Sequence, residues 1–430
     1  MGRTAKSKAL FERAQKVFSG GVSHNARFYD PYPIFVGKAQ GQYLWDEDGH
    51  RYADYWMGHM ALILGHSPKV VVDALRRQVA QGTHYGLGSR TSVELAEEIQ
   101  KSVPCAELLR FCNSGAEATM YLVRLARAHT RKRVVIKIAG GWHGYNTELN
   151  MGVHTPFDRA EGAGILGGEQ AYVRSVRFND LASCEAELGR SRGDVAVIFL
   201  EPVLGAGGCI PADGEYLKGL RELADRAGVL LAFDEIITGF RLALGGAQEW
   251  YGVTPDLATL GKVAGGGLPL GLVCGRGEIL SLADPRRREG FVSIGGGTFS
   301  ENPLSMAAGL ATVRRLRKDA KKIYPALTEA GSIVRKGVDR AMEEEGVSVH
   351  TTGAGSLFLT HFGGEPRSAE DASHEQRSIA VKYALDLMAG GSFLLPGHPG
   401  GVSTAHTKKD LEALIDQSRM FAAALTKNRK

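Results

Sequence analysis

Cysteine is scarce in this sequence and nowhere paired. Cys105, Cys112, Cys184, Cys209 and Cys274 are dispersed, odd in number and form no CxxC. That excludes a disulfide framework and a thiolate zinc site, fits a reducing compartment and leaves no metal site expected. Long apolar runs are missing too. No segment approaches about 18 uninterrupted apolar residues, so no membrane span is expected. The opening MGRTAKSKALFERAQ lacks the apolar core of a secretory signal, and the expected location is cytoplasmic. A large excess of one charge is also lacking. A net +5 over 430 residues argues against a nucleic-acid surface and leaves small anions as candidate ligands. There is no internal repeat and no low-complexity tract.

Glycine, by contrast, is abundant: 56 residues, about twice the usual ~7% share. The glycines lie between apolar segments without a fixed period, which points to tight turns. Hydrophobic residues at 43% and charged residues at 23% are the balance of a globular chain. Its length exceeds one ordinary core, so two or more domains are expected.

The first 66 residues read as a short helix from Ser7 to Phe18 and then, from Ile34 to Tyr55, a hairpin or small meander. From about Ser67 to residue 315, helices alternate with unbroken apolar runs. Capping-box spacings at Thr91-Ser92-Val93-Glu94 and Ser114-Gly115-Ala116-Glu117 open two of the helices. Strands are predicted at Arg133–Ile138, Val195–Leu200, Val229–Phe233 and Leu270–Cys274, all without polar alternation. This is the pattern of an α/β domain built on a mainly parallel sheet. Residues 316–430 continue a long helical run from Asn302 to Glu345, then strands within Val347–Leu359, a helix at His374–Met388 and a last helix at Thr407–Leu425. With residues 1–66 they are expected to form a smaller α+β domain.

Two motifs mislead. Gly162-Ala163-Gly164-Ile165-Leu166-Gly167 matches G-x-G-x-x-G but follows a loop-like stretch and opens no helix. Gly261-Lys262 resembles a P-loop ending, yet Asp256 occupies the first glycine position and Val263 the Ser/Thr position.

Four other features combine. Ser114, Gly115 and Ala116 start a helix after an apolar run, where backbone N–H groups and a hydroxyl can hold an anion; alone they are an ordinary cap. Trp142, between Gly141 and His143-Gly144 at a strand's end, can stack on a flat ligand or simply fill a core. Asp234 ends the run VLLAF and needs a partner such as a protonated ring nitrogen. Lys262, among glycines and apolar residues, is placed for a lowered pKa and Schiff-base chemistry. Together they describe a site for pyridoxal 5'-phosphate.

At these residues the sequence resembles the class III aminotransferases. NSGAEA (Asn113–Ala118), WHG (Trp142–Gly144), Glu201-Pro202, FDEIITGFR (Phe233–Arg241), PDLATLGK (Pro255–Lys262) and GTFSENPLSMAAG (Gly297–Gly309) occur in that family's order. The resemblance implies the type I fold of pyridoxal-phosphate enzymes, a large domain with a seven-stranded-type sheet and a small domain from both chain ends. It also implies a homodimer with active sites at the subunit interface. It implies that Lys262 forms the Schiff base and moves the proton, and that Asp234 pairs with the pyridine nitrogen. Trp142 and Ile236 would flank the ring, and Ser114, Gly115 and Ala116 would hold the phosphate with Thr298 of a second copy. Glu201 and His143 would support them.

Within the family the stretch from Thr238 to Gly271 is similar to glutamate-1-semialdehyde 2,1-aminomutase, and SGGVSHNAR (Ser19–Arg27) resembles its opening. That similarity implies that Arg27 binds a substrate carboxylate, a task suited to a guanidinium fork. His59, Ala206 and His398 stand where that enzyme has a tryptophan, an asparagine and a glutamate, which places His59 and His398 among the substrate contacts. The stretches Gly58–His66 and Ala26–Phe35 are instead similar to D-phenylglycine and β-amino-acid aminotransferases. Aminomutase, intermolecular aminotransferase and, less strongly, racemase all remain open at this point.

Overall fold

Seven runs of Val, Ile, Leu and Phe lie side by side in the computed structural model, which describes residues 4–374 and 376–427. They are β1 (Leu108–Cys112), β2 (Val134–Ile138), β3 (Val173–Val176), β4 (Val195–Leu200), β5 (Leu230–Glu235), β6 (Leu257–Gly261) and β7 (Gly271–Gly275). Their order across the sheet is β1-β7-β6-β5-β4-β2-β3. β7 runs antiparallel to both neighbours, and the remaining pairs are parallel. The fold is α/β of type I.

Every residue of β2, β4, β5, β6 and β7 is buried. Such runs need a cover on each face because successive side chains point to opposite sides. Ile136, Ile198, Leu231 and Phe233 pack on Leu217, Leu220 and Leu223 of the helix Gly214–Ala227. Their neighbours Val135, Val197, Phe199 and Ala232 pack on Leu122, Leu125 and Ala126 of the helix Gly115–Thr130.

The register of the sheet places the chemistry. β5 and β6 are parallel with Asp234 opposite Thr259, so both strands end at one edge. Asp234 lies at the end of the first, and Lys262 follows the second directly. Open α/β sheets bind ligands beyond the carboxyl ends of their strands.

The two chain ends pack together. Val36–Gln40, Tyr43–Asp46 and Arg51–Asp54 form the expected meander, and Ser392–Phe393 joins it in parallel to the third strand. Asp410, at the start of the helix Lys408–Lys427, accepts from Tyr43 Oη at 2.7 Å and Gln42 Nε2 at 2.9 Å. A small three-stranded sheet (His350–Thr352, Leu357–His361, Gly400–Gly401) packs nearby. Its cover comes from Val334, Val338, Leu414 and Phe421.

Several elements differ from expectation. The first helix spans Ala5–Ala14, ending well before Ser19. The helix expected to open at Thr91 starts at Arg90. Its box is Ser89 with Ser92, whose hydroxyls each accept the other's backbone N–H at 3.2 and 3.3 Å. Serine supplies the acceptor usually given by Glu. The run from Asn302 to Glu345 is two helices, Pro303–Lys318 and Ala320–Glu344, parted at Asp319. The motif at Gly162–Gly167 lies in irregular chain before a single 3-10 turn. Among the described residues no helix is long and apolar enough to cross a membrane.

Candidate active site

Asp234 is 3% exposed, and a carboxylate there must be matched by donors. Three are present. His143 Nδ1 lies 2.7 Å from Oδ2, while Thr259 Oγ1 and the Ile236 N–H donate to Oδ1 at 3.0 and 3.1 Å. Burial lowers the pKa of His143, outweighing the carboxylate's pull in the other direction. Because an ionised carboxylate can only accept, Nδ1 carries the proton of this bond and donates to Asp234. His143 Nε2 is buried with no hydrogen-bond partner.

The Ser114 turn has the capping box its spacing predicts. Ser114 Oγ accepts from the Glu117 N–H at 3.3 Å, and Glu117 Oε2 accepts from the Asn113 and Ser114 N–H groups at 2.6 and 3.2 Å. The first-turn N–H groups of Gly115 and Ala116 lack helical partners by position and, with the helix dipole, favour an anion. Glycine makes the close packing here possible. A Cβ on Gly144, whose φ is +84°, would lie 2.5 Å from Ala116 Cβ, and one on Gly271 would lie 2.2 Å from the Ser114 carbonyl. Ile236 fills the space between Gly115 and Gly261, with its Cδ1 at 3.1 and 3.0 Å from the positions of their missing Cβ atoms.

Trp142 is half-buried and meets Tyr145 edge-on, with ring centroids 4.7 Å apart. Its backbone N–H donates to Glu201 Oε1 at 2.8 Å, and Glu201 Oε2 accepts from the Gly205 N–H at 3.1 Å. Glu201 thus ties the tryptophan turn to the turn after β4. A second anchor lies below. Lys137, wholly buried in β2, donates from Nζ to the carbonyls of Gly141, Leu149 and Met151 at 2.9, 3.0 and 2.6 Å.

Lys262 leaves β6 with φ +45°. Burial lowers the pKa of its amine, Glu201 and Asp234 oppose that shift, and the charge of Arg241 adds to it. Glu201 moves upward through burial and the charge of Asp234. A lysine whose neutral form is accessible is a nucleophile toward an aldehyde. The donor set fits pyridoxal phosphate: an amine for the aldehyde, a carboxylate for the ring nitrogen and a helix start for the phosphate. An indole and Ile236 are available for the ring.

The three residues assigned to substrate also gather here. Arg27 is exposed in the turn Asn25–Arg27, and its charge lowers the pKa of both His24 and His59. His59 lies 4.9 Å from the His24 ring and 4.4 Å from Trp56, which in turn meets His398 at 5.2 Å. Burial, followed by the charges of His24, Lys262, Arg27 and His398, pushes His59 down to about 3. Thr298 is exposed, in a turn whose neighbour Gly296 accepts from Asn113 Nδ2 at 2.8 Å.

Sequence reasoning missed four contributors. Lys137 carried the same signal as Lys262, a lysine inside an apolar run. Thr259 and His24 carried none that separates them from ordinary polar residues. Arg241 sat inside a quoted motif without a role. It is fully buried and reaches from the end of the β5 turn to Met60, Ser356 and Val402.

The class III aminotransferase family matches residues 24–378. Glutamate-1-semialdehyde 2,1-aminomutase of Methanosarcina acetivorans is 37% identical over 417 residues, covering 96% of this chain and 97% of that one. Among solved structures, an omega-transaminase from Sphaerobacter thermophilus superposes with a TM-score of 0.91 at 32% identity, covering 99% of this chain and 98% of that one. A beta-phenylalanine aminotransferase from Variovorax paradoxus follows at 0.89 and 31%, covering 99% and 95%. With the site residues fitting the cofactor and the match spanning most of its length, this chain belongs to the class III aminotransferases and is a pyridoxal-phosphate-dependent enzyme.

Proposed function

We propose that the enzyme moves an amino group on a small amino acid whose carboxylate is held by Arg27, with glutamate-1-semialdehyde the first candidate substrate. The observation that carries this reading is that Lys262 follows β6 at the edge where Asp234 closes the parallel strand β5, with the charges of Glu201 and Asp234 acting on its amine. When bound, pyridoxal phosphate supplies the electron sink for the substrate carbon. Lys262 Nζ would hold the cofactor aldehyde and, as a free amine, would move the proton at the substrate carbon. Asp234, with Nδ1–H of His143 and the Thr259 hydroxyl, keeps the ring nitrogen protonated. Ser114, Gly115 and Ala116 take the phosphate, joined by Thr298 of a second copy in a homodimer. Trp142 and Ile236 would flank the ring. Glu201 holds the Trp142 turn, and Arg27, His59 and His398 orient the substrate.

A second reading is intermolecular transfer from a β-, D- or aryl amino acid to a 2-oxo acid. His59 and His398, both with lowered pKa values, leave the inner pocket without a second positive charge, and that favours a less polar substrate.

Purified protein is expected to absorb in the visible and to lose that band on adding an amino donor. Lys262→Ala should abolish the lysine-bound band and turnover. A colourless protein indifferent to added cofactor would overturn the proposal. Turnover of glutamate-1-semialdehyde without a 2-oxo acid selects the first reading; dependence on a 2-oxo acid, with ping-pong kinetics, selects the second.

A further inference from the structure

Lys137 and Glu201 are both buried, at 0% and 4% exposure. They belong to neighbouring parallel strands: Lys137 lies opposite Phe199 of β4, and Glu201 follows the end of β4. Among the described residues neither makes a direct ion pair, although a buried charge is costly unless it is compensated. The compensation runs through a single peptide group. Lys137 Nζ donates to the Gly141 carbonyl at 2.9 Å, and the Trp142 N–H donates to Glu201 Oε1 at 2.8 Å. That carbonyl and that N–H share one planar unit. An ammonium therefore grips its oxygen while a carboxylate grips its hydrogen.

The bonding pattern calls for the charged form at each end. Lys137 meets three carbonyls, of Gly141, Leu149 and Met151. Three N–H donors exist only on the ammonium, so a neutral amine would leave one carbonyl unmet. Glu201 accepts at both oxygens, from the Trp142 and Gly205 N–H groups, as a carboxylate does. Burial moves the pKa of each group toward its neutral form, and at Lys137 the charges of Glu201 and Glu161 oppose that shift.

The clamped peptide leads straight into the residues that face the cofactor. Trp142 and His143 follow it, and His143 Nδ1 lies 2.7 Å from Asp234. Beyond them the His143 carbonyl accepts from Thr119 Oγ1 at 2.7 Å. The turn is thus held at both ends, and the Gly141–Trp142 plane sets the direction in which the indole and the imidazole leave the chain. We infer that Lys137 and Glu201 form an ion pair bridged by this peptide, and that Lys137 acts through it as a positioning residue for Trp142 and His143 at the cofactor ring. The inference rests on the pyridoxal-phosphate reading of Lys262 and extends it to the lysine inside β2.

The test is a double-mutant cycle with Lys137→Met, Glu201→Gln and the double variant. Each apoenzyme is titrated with pyridoxal phosphate, the visible circular dichroism of the bound cofactor is recorded, and each protein is unfolded in urea. Either single variant is expected to weaken cofactor binding about tenfold or more and to alter the dichroic band, because one end of the peptide is freed while the opposite charge stays buried. The double variant should bind about as well as the weaker single, and in urea should lose less than the two singles together. Losses in affinity that multiply, to about a hundredfold, or stability losses that simply add would overturn the ion pair. A Lys137→Met protein with parental affinity and parental dichroism would overturn the positioning role. Lys137→Gln, which keeps N–H donors without the charge, enters the cycle if Lys137→Met does not fold. Parent protein without a visible band overturns the cofactor reading instead, and the urea cycle then still decides the ion pair.

Discussion

Arg241 places two hydrogen bonds on the single carbonyl of Met60, from Nε at 3.0 Å and Nη2 at 2.6 Å. Its remaining nitrogen, Nη1, donates to Ser356 Oγ at 3.0 Å. Met57, Gly58, His59 and Met60 all have positive φ, between +47° and +65°, and a left-handed turn costs roughly 1–2 kcal/mol for each residue with a Cβ. Asp54 Oδ1 accepts from the Trp56 and Met57 N–H groups at 2.8 and 3.0 Å. The turn that presents His59 is therefore held by Asp54 at its start and by Arg241 at its end.

Arg241→Lys keeps the charge and loses the planar fork. The expected result is a loss of about 2–4 kcal/mol in unfolding free energy, measured by urea denaturation. Because the released turn carries His59, KM for the amino donor should rise more than kcat falls. A variant with wild-type stability and an unchanged KM would show that the fork does not hold the turn.

Gly144 is required by the close approach to Ala116. Gly144→Ala should weaken cofactor binding by at least about tenfold, equivalent to about 1.4 kcal/mol, read by titrating apoenzyme with pyridoxal phosphate. Gly189→Ala is the control, since nothing lies within 4 Å of the added methyl and alanine suits a helix better than glycine. Equal binding by both variants would remove Gly144 from the cradle.

The His59 pKa, about 3 in the folded chain against an ordinary 6.5, gives a pH dependence of known sign. Between these values the unfolded chain binds a proton that folded His59 refuses, so stability falls as the pH drops below 6.5 and is unaffected by this residue above it. Partial exposure keeps the slope below about 1.4 kcal/mol per pH unit. His59→Gln should lose less stability than the parent between pH 6.5 and 4.5 in thermal unfolding. Parallel curves would assign the acid sensitivity to other groups.

Much of the fold was readable before the structure because its central strands are continuous apolar runs, a pattern that only a sheet covered on both faces accommodates. β3 escaped notice because at the sheet edge two of its four residues are only partly buried. The break at Asp319 is a local backbone turn within a run of helical spacing, invisible to periodicity.

Asp234 and Lys262 stood out from local sequence alone: a carboxylate and an amine among apolar residues must be matched or used. Their pairing at one sheet edge follows from the register of two parallel strands. Arg27, His59 and His398 are another matter. They lie on segments far apart in the chain and are brought together because Trp56 meets the His398 ring edge-on and the His59 ring at a tilt, and Arg241 pins the turn that carries His59. Residue types and spacing thus account for the cofactor chemistry, since each part acts next to its own backbone element. The shape and polarity of the substrate pocket arise from long-range packing, which no local pattern encodes.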